Sequence, residues 1–264
     1  MSQTQPTVVL LHSSASSGRQ WRALVEQLRP RFDVHAVDLH GHGFQAPWQG
    51  GRPLTLADEA ALVLPLADAA RGEVHLVGHS YGGAVALRVA ALRPQLVRSV
   101  AVYEPVLFGL LVQCNAHGEA TREAVGLAER VRRHVRDGEL HAAAAEFVDY
   151  WSGAGAWSSI GAERQAGIAA RMPIVVQHFD ALYRERLDAG RLDQLPLLCL
   201  SGARTTTAAQ RIGALLRARW PAARHETLDG LGHMGPITHP DVVNARIIRF
   251  LMVQRGRVSE PAWA

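Results

Sequence analysis

The chain has 264 residues with a net charge of +4, and all of its 28 basic residues are arginine. No apolar run approaches the roughly 20 residues that cross a membrane, so the sequence predicts a globular protein without a membrane-spanning helix. The arginines are scattered along the chain and interleaved with Asp and Glu, which is typical of a solvated helix face and not of a nucleic-acid surface. We therefore expect one large domain, or a core with an insertion, that binds neither nucleic acid nor membrane.

Cysteine usage and the first residues of the chain indicate a cytoplasmic protein. The two cysteines, Cys114 and Cys199, are too few and too poorly placed for a disulfide framework. Residues 1–6 have no basic region, so no secretory signal is predicted. The sequence has no H-E-x-x-H motif and no cysteine cluster, so we expect neither a metal nor an organic cofactor.

Short apolar runs alternate with helical periodicity along most of the chain, which predicts a doubly wound parallel sheet with ligands at the carboxyl ends of its strands. Six strands are predicted, at Thr7–Leu11, Asp33–Asp38, Glu73–Val77, Arg98–Tyr103, Pro196–Gly202 and Arg224–Leu228. Helices are predicted through residues 21–28, from about Thr55, at Ala84–Leu92, at Thr206–Trp220, and through Val242, Ile247, Phe250 and Leu251.

Residues 107–191, between the fourth and fifth strands, show helical periodicity alone. Helices are predicted at Glu119–Arg136 and at Glu139–Trp151. One or two more are predicted within Ala162–Arg186, around Pro173. We interpret 107–191 as a helical insertion, and residues 1–106 and 192–264 as one core. The larger apolar residues of the insertion could roof a pocket or form its own core: Phe147, Tyr150, Trp151, Trp157, Met172 and Phe179.

The segment Gly78-His79-Ser80-Tyr81-Gly82 lies between the third predicted strand and a helix. A G-x-S-x-G motif in this context forms a strained turn from which the serine Oγ stands clear of the sheet. Glycine is required where other backbone approaches that turn, at Gly78 and Gly82. The motif resembles the nucleophile elbow of the α/β-hydrolase superfamily.

This resemblance implies a fold, a cap and an oxyanion hole. The fold is a doubly wound, mainly parallel sheet without the superfamily's leading antiparallel strand pair, because only six residues precede the first strand. Residues 107–191 match the position of the superfamily's helical cap. The loop beginning His12-Ser13 is similar to the family's His-Gly oxyanion loop, with Ser13 in place of glycine, and implies the backbone N–H groups of Ser14 and Tyr81 as oxyanion donors.

A serine nucleophile needs a base, and the chain has 13 histidines. His233 follows the last strand in Gly-x-Gly-His, and the order of Ser80 before His233 agrees with the superfamily. We interpret His79 as packing beneath the elbow. His40 and His42 have no accompanying Cys or carboxylate group, so their loop is interpreted as structural, not as a metal site. His178, which lies in the insertion, is interpreted as a packed or solvent-edge residue.

The acid departs from the family pattern, because Thr205 lies where relatives usually carry an aspartate after the penultimate strand. Glu104, at the end of the fourth strand, has the charge and the right edge of the sheet, and haloalkane dehalogenases place an acid there. Their nucleophile is an aspartate, so dehalogenation is not implied. Asp229, four residues before His233, is the main alternative, while Asp193 lies at the wrong edge. We therefore predict Glu104 as the acid.

The predicted function is that of a serine hydrolase that cleaves a small ester or related acyl compound through an acyl-enzyme. C–C bond hydrolases, perhydrolases and cofactor-free lyases on the same fold are alternatives. A cyanohydrin lyase is disfavoured, because the plant enzymes have lysine where this chain has Met234. A ligand-binding or weakly active relative also stays open, because the usual aspartate is absent. We expect a small-molecule substrate, and nothing in the sequence predicts an oligomeric state.

Overall fold

A six-stranded sheet lies at the centre of the computed structural model, which describes residues 5–70, 74–187 and 192–256. Its strands are β1 (Thr7–Leu11), β2 (Asp33–Val37), β3 (Val74–His79), β4 (Val97–Tyr103), β5 (Leu197–Gly202) and β6 (Arg224–Leu228). Within the described ranges all pairings are parallel, in the order β2-β1-β3-β4-β5-β6. The predicted start of the third strand, Glu73, lies outside the described residues.

The strand order changes direction between β1 and β3. From β1 the chain runs outward to β2 and then returns to the other side of β1 as β3. In parallel sheets the crevice at such a switch point, beside the carboxyl ends of the strands, is where ligands bind. The loop after β1 and the turn at Gly78–Gly82 therefore meet at the position expected for a site.

Eleven α-helices accompany the sheet in the described part of the chain. They are α1 (Arg22–Leu28), α2 (Leu56–Ala69), α3 (Tyr81–Leu92), α4 (Phe108–Asn115), α5 (Glu119–Arg136), α6 (Leu140–Ser152), α7 (Ala162–Ala169), α8 (Met172–Arg184), α9 (Thr207–Arg219), α10 (Gly235–Thr238) and α11 (Pro240–Arg255). The prediction of an α/β fold with a parallel sheet is thus confirmed. In the closing helix α11, Val242 is 40% exposed and its neighbour Val243 takes the buried position.

Alternate strand residues bury their side chains in two different layers, because successive side chains of a strand point to opposite faces. Leu10 and Val77 pack in one apolar cluster with residues of α1 and α11. Their neighbours Leu11 and Leu76 pack in the other cluster, with residues of α2, α3 and the helices that follow β4. The sheet is therefore covered on both faces, as its near-continuous apolar strands require.

Five helices, α4 to α8, lie between β4 and β5 along the chain, in the segment interpreted from the sequence as a cap. Their apolar core is aromatic: Phe108 stacks near-parallel on Trp151, Phe179 and Tyr183 at centroid distances of 5.3–6.5 Å. Phe179 is buried within this cluster. Trp151 also reaches beyond it, to the carboxyl edge of the sheet.

Two glycines of the turn at Gly78–Gly82 have backbone where a side chain would be. A Cβ at Gly78 would lie 2.4 Å from the Gly82 carbonyl oxygen. A Cβ at Gly82 would lie 2.4 Å from the carbonyl oxygen of Leu11 and 2.5 Å from that of His12. Since these neighbours are backbone atoms that cannot rotate away, glycine is required at both positions.

We expect Gly82→Ala to lower the free energy of unfolding by about 1–3 kcal/mol, because the added methyl group overpacks against two carbonyl oxygens. The matched control is Gly213→Ala in α9, where the new Cβ would meet nothing within 4 Å. That variant should be as stable as the parent or more stable by up to about 1 kcal/mol, since alanine favours a helix. Urea unfolding measures both; equal stability of the two variants would contradict this account of the turn.

Candidate active site

Ser80 occupies a strained turn between β3 and α3. Its backbone angles are φ 55° and ψ −119°, in a region that residues with a side chain rarely adopt. The conformation is held by its own N–H, which donates to the Tyr103 carbonyl at 3.0 Å, and by its carbonyl, which accepts from Gly83 and Ala84 of the first turn of α3. The surrounding structure thus fixes the Ser80 side chain at the carboxyl edge of the sheet.

Three side chains from separate parts of the sequence form a hydrogen-bonded chain at this edge. His233 Nε2 lies 2.9 Å from Ser80 Oγ, and His233 Nδ1 lies 2.7 Å from Glu104 Oε2. All three residues are buried, with 5%, 2% and 4% of Ser80, His233 and Glu104 exposed. With Glu104 ionised, the carboxylate accepts the Nδ1 proton, which leaves Nε2 free to accept the proton of Ser80.

Glu104 is fixed by contacts on both of its carboxylate oxygens. Oε1 accepts from the Gly202 N–H and Oε2 from the Thr205 hydroxyl, each at 2.7 Å. Thr205, at the position where relatives usually carry an aspartate, therefore supports the carboxylate of Glu104. Asp229 is exposed on the turn after β6, and Asp193 is exposed before β5. Of the three carboxylates considered as the acid, Glu104 is the one that the structure brings to His233.

The loop that carries His233 is tied to the loop after β1 through two side chains. His79 Nε2 donates to the His233 carbonyl at 2.8 Å, and His79 Nδ1 accepts from Gln20 Nε2 at 2.9 Å. Gln20 Oε1 in turn accepts from both the N–H and the hydroxyl of Ser13. Burial lowers the pKa of His79 well below its ordinary value, and the neutral ring can both donate and accept.

The two backbone amides predicted to hold an oxyanion lie on segments that touch. The Gly82 N–H, one residue after Tyr81, donates to the His12 carbonyl at 3.1 Å, which holds the Ser14 loop against the first turn of α3. Among the bonds of the described residues, none involves the N–H of Ser14 or Tyr81. Both donors are therefore available to a ligand.

The Ser13 substitution in the loop after β1 is compatible with its backbone. The residue with positive φ in this loop is Ala15, at 58°, and not Ser13, so glycine is not required at Ser13. The Ala15 N–H donates to His42 Nε2 at 3.1 Å, while His42 Nδ1 donates to the His40 carbonyl. The His40–His42 loop thus fixes the residue next to Ser14.

Two side chains of the helices after β4 cover the site. Trp151 of α6 stacks on His233 with ring centroids 3.8 Å apart and planes 28° apart. His178 of α8 stacks on Tyr81 at 3.7 Å and 8°, and its Nδ1 lies 2.8 Å from Ser14 Oγ. The sequence offered Trp151 only as one of several possible roof residues, and did not assign His178 to the site.

A buried carboxylate lies beside this cover. Glu59 of α2 is fully buried and accepts from the Tyr81 hydroxyl at 3.2 Å and from the His40 N–H at 3.1 Å. Burial raises the pKa of Glu59 to about 7. Sequence reasoning missed Glu59, although its spacing from Leu56 and Val63 places it on the buried face of the amphipathic helix.

Neither a metal group nor a membrane helix is found in the described residues. No three His, Cys, Asp or Glu side chains of these residues are grouped so that they could hold a metal ion. Within the same ranges, no helix is long and apolar enough to span a membrane.

A parallel sheet in this strand order, with a serine turn and a histidine loop at the carboxyl ends of its strands, is an arrangement shared by a class of proteins. The model of the alpha/beta hydrolase family matches residues 8–246. This chain therefore belongs to the alpha/beta hydrolase family, and its relatives include esterases and lipases.

Particular relatives match the chain to different extents. A pimeloyl-[acyl-carrier protein] methyl ester esterase of Xanthomonas campestris pv. campestris is 32% identical over 252 residues, 93% of this chain and 95% of that protein. Lipase LipV of Mycobacterium tuberculosis is 39% identical over 101 residues, only 38% of this chain and 37% of the lipase.

Solved structures agree in fold. A hydrolase from Pseudomonas aeruginosa PA01 superposes with a TM-score of 0.74 at 24% identity, covering 94% of this chain and 90% of that one. The enol-lactonase from Burkholderia xenovorans LB400 gives a TM-score of 0.72 at 21% identity, with coverages of 94% and 92%. At these identities the similarity supports the fold alone.

Buried neutral histidines should make the folded protein sensitive to acid. Burial lowers the pKa of His12 to about 3, and those of His42 and His75 to about 4. Between these values and the ordinary 6.5 the unfolded chain binds protons that the folded chain does not, so stability falls as pH falls from about 6.5 towards 4. The slope is up to about 1.4 kcal/mol per pH unit for each histidine.

Glu59 acts in the opposite direction, because burial raises its pKa from the ordinary 4.5 to about 7. Between these pH values the folded chain binds a proton that the unfolded chain does not, so this group stabilises the fold as pH falls. One carboxyl group does not offset three histidines, so the net change is a loss of stability on acidification. Urea unfolding at pH 7, 6 and 5 measures it. A free energy of unfolding that is equal or higher at pH 5 would contradict the neutral state of these rings.

Proposed function

We propose that this protein is a serine hydrolase that cleaves a small carboxylic ester, or a related acyl compound, through an acyl-enzyme on Ser80. The observation that carries the proposal is the pair of contacts at His233, 2.9 Å to Ser80 Oγ and 2.7 Å to Glu104 Oε2. Hydroxyl, imidazole and carboxylate in this order form the arrangement that activates a serine for attack on an acyl carbon.

In the acylation step, Ser80 Oγ forms a bond to the acyl carbon while His233 Nε2 takes the hydroxyl proton. Glu104 keeps the Nδ1 proton facing it and stabilises the imidazolium. The N–H groups of Ser14 and Tyr81 donate to the oxygen on which negative charge develops. The tetrahedral intermediate collapses, the bond to the leaving alkoxide breaks, and His233 gives its proton to that oxygen.

Deacylation repeats the sequence with water. His233 Nε2 takes a proton from a water molecule, whose oxygen attacks the acyl carbon. Collapse of the second intermediate breaks the bond to Ser80 Oγ, which recovers its proton, and the free acid leaves. No cofactor is needed, because each proton removed is returned by the same imidazole.

The cover of the site supports a small, largely apolar acyl group. Ser80 is only 5% exposed, and the Trp151 ring lies against His233, so a folded polymer has no direct access to the serine. Similarity over 93% of the chain to a pimeloyl-[acyl-carrier protein] methyl ester esterase supports a short alkyl ester of an acyl chain as the substrate class.

The alternative of a ligand-binding or weakly active relative rested on the missing aspartate after β5. The contact between Glu104 and His233 weighs against it, because a carboxylate does face the imidazole. The additional donors from Gly202 and Thr205 hold that carboxylate in place.

The proposal is tested by labelling and substitution of the serine. An organophosphonate should modify Ser80 covalently, as located by mass spectrometry of peptides, and Ser80→Ala should remove both labelling and turnover of p-nitrophenyl esters while the protein stays folded. The control is Ser16→Ala in the neighbouring loop. Labelling of another serine, or full activity of Ser80→Ala, would overturn the proposal.

The acid is tested by comparing kcat of two variants on one p-nitrophenyl ester. Glu104→Gln should lose up to about 10⁴-fold in kcat, because the amide no longer selects the productive imidazole tautomer or stabilises the imidazolium. The matched control Asp229→Asn changes an exposed carboxylate on the turn after β6 and should retain parental kcat. If Asp229→Asn loses turnover and Glu104→Gln retains it, the assignment is wrong.

A further inference from the structure

We propose that the Ser14 hydroxyl is a third donor to the oxyanion, in addition to the two backbone amides, and that His178 is the positioning residue that directs its proton. This inference rests on the proposed hydrolase function. It means that the helices after β4 contribute to transition-state stabilisation, whereas the sequence predicted only that they cover the site.

His178 contacts both residues of the proposed oxyanion hole. Its Nδ1 lies 2.8 Å from Ser14 Oγ, and its ring lies parallel to that of Tyr81 at 3.7 Å. His178 is buried, while Ser14 is only partly buried. Ser14 Oγ therefore has one identified partner, the ring of His178, and the residue keeps some exposed surface.

The two nitrogens of His178 differ in their partners. Nδ1 has Ser14 Oγ within hydrogen-bond distance, whereas Nε2 is buried and has no hydrogen-bond partner among the described residues. Glu59 Oε1 lies 3.7 Å from Nε2, beyond hydrogen-bond distance, and each Glu59 oxygen already accepts another donor, from Tyr81 or His40. A neutral ring with its single proton on Nδ1 avoids a buried N–H without an acceptor.

The position of that proton decides where the Ser14 proton points. With Nδ1–H as the donor, Ser14 Oγ accepts from the ring, and its own O–H must donate elsewhere. Burial lowers the pKa of His178 well below its ordinary value, so the ring stays neutral. Among the described residues no other acceptor for the Ser14 O–H is found, and the backbone N–H of the same residue is also unpaired. In the proposed arrangement this O–H is directed to the oxyanion that the N–H binds.

A donor held in this way acts mainly on the transition state. The carbonyl oxygen gains negative charge only as Ser80 attacks, so an oriented O–H gains strength at that step and costs no reorganisation. Its removal should therefore lower kcat and leave KM nearly unchanged. A purely structural role of His178 would instead change stability, or kcat and KM together.

The experiment is a double-mutant cycle on one short-chain p-nitrophenyl ester. Its variants are Ser14→Ala, His178→Phe, which keeps a flat ring against Tyr81 but has no donor, and the double variant. His178→Asn and Ser14→Thr are the conservative variants, because they keep a donor near the position of Nδ1 and a hydroxyl, respectively. The matched controls are Ser16→Ala in the same loop and His141→Phe, an exposed histidine of α6.

We expect Ser14→Ala and His178→Phe each to lower kcat about 10- to 100-fold, less than the 10²–10³ of a principal oxyanion donor, with KM within about threefold of the parent. The double variant should be no slower than Ser14→Ala, because His178 acts through that hydroxyl. His178→Asn and Ser14→Thr should recover most of the loss, and the controls should match the parent.

Parental kcat for Ser14→Ala overturns the proposal, and so do additive losses in the double variant, which would mean that His178 acts by packing alone. Thermal melting identifies variants that do not fold. If His178→Phe does not fold, the kcat values of Ser14→Ala, Ser14→Thr and His178→Asn still test whether the hydroxyl and its donor are needed. If the parent neither hydrolyses esters nor is labelled at Ser80, the proposed function itself fails, which is a different result from an active parent with an active Ser14→Ala.

Discussion

The backbone contact between the serine turn and the end of β1 is the constraint on which the site depends. At Gly82 the two segments are so close that a Cβ would lie 2.4 Å from the Leu11 carbonyl oxygen. This contact holds the loop of Ser14 beside Tyr81, the residue that follows the strained Ser80. The cost of that strain is met by the buried sheet on either side, which fixes both segments independently.

Burial of neutral histidines is the second condition for this arrangement. His12, His42 and His79 each donate through one ring nitrogen and accept through the other, and each links loops that lie far apart in the sequence. A protonated ring has two donors and no acceptor, so it could not make these pairs. The same burial that lowers their pKa values therefore preserves the geometry of the loops around Ser80.

Local sequence patterns were sufficient to predict the sheet and most of its helices. The bounds of α5 and β6 agree with those predicted, because strong helical periodicity defines α5 and turns on both sides define β6. In α11 the pattern was less decisive, since adjacent valines at 242 and 243 both fit an apolar face. Which of the two valines is buried depends on the rotation of the helix about its own axis, and packing against the sheet fixes that rotation.

Sequence alone determined the fold class and nominated Ser80, His233 and Glu104, because an elbow motif and the ends of successive parallel strands are local features that topology brings to one edge. Tertiary structure alone decided what surrounds them. His178 and Ser14 are separated by 164 positions, and Gln20 and His79 by 59. No local pattern encodes such pairs, because they depend on how the helices after β4 and the loop after β1 pack against the sheet.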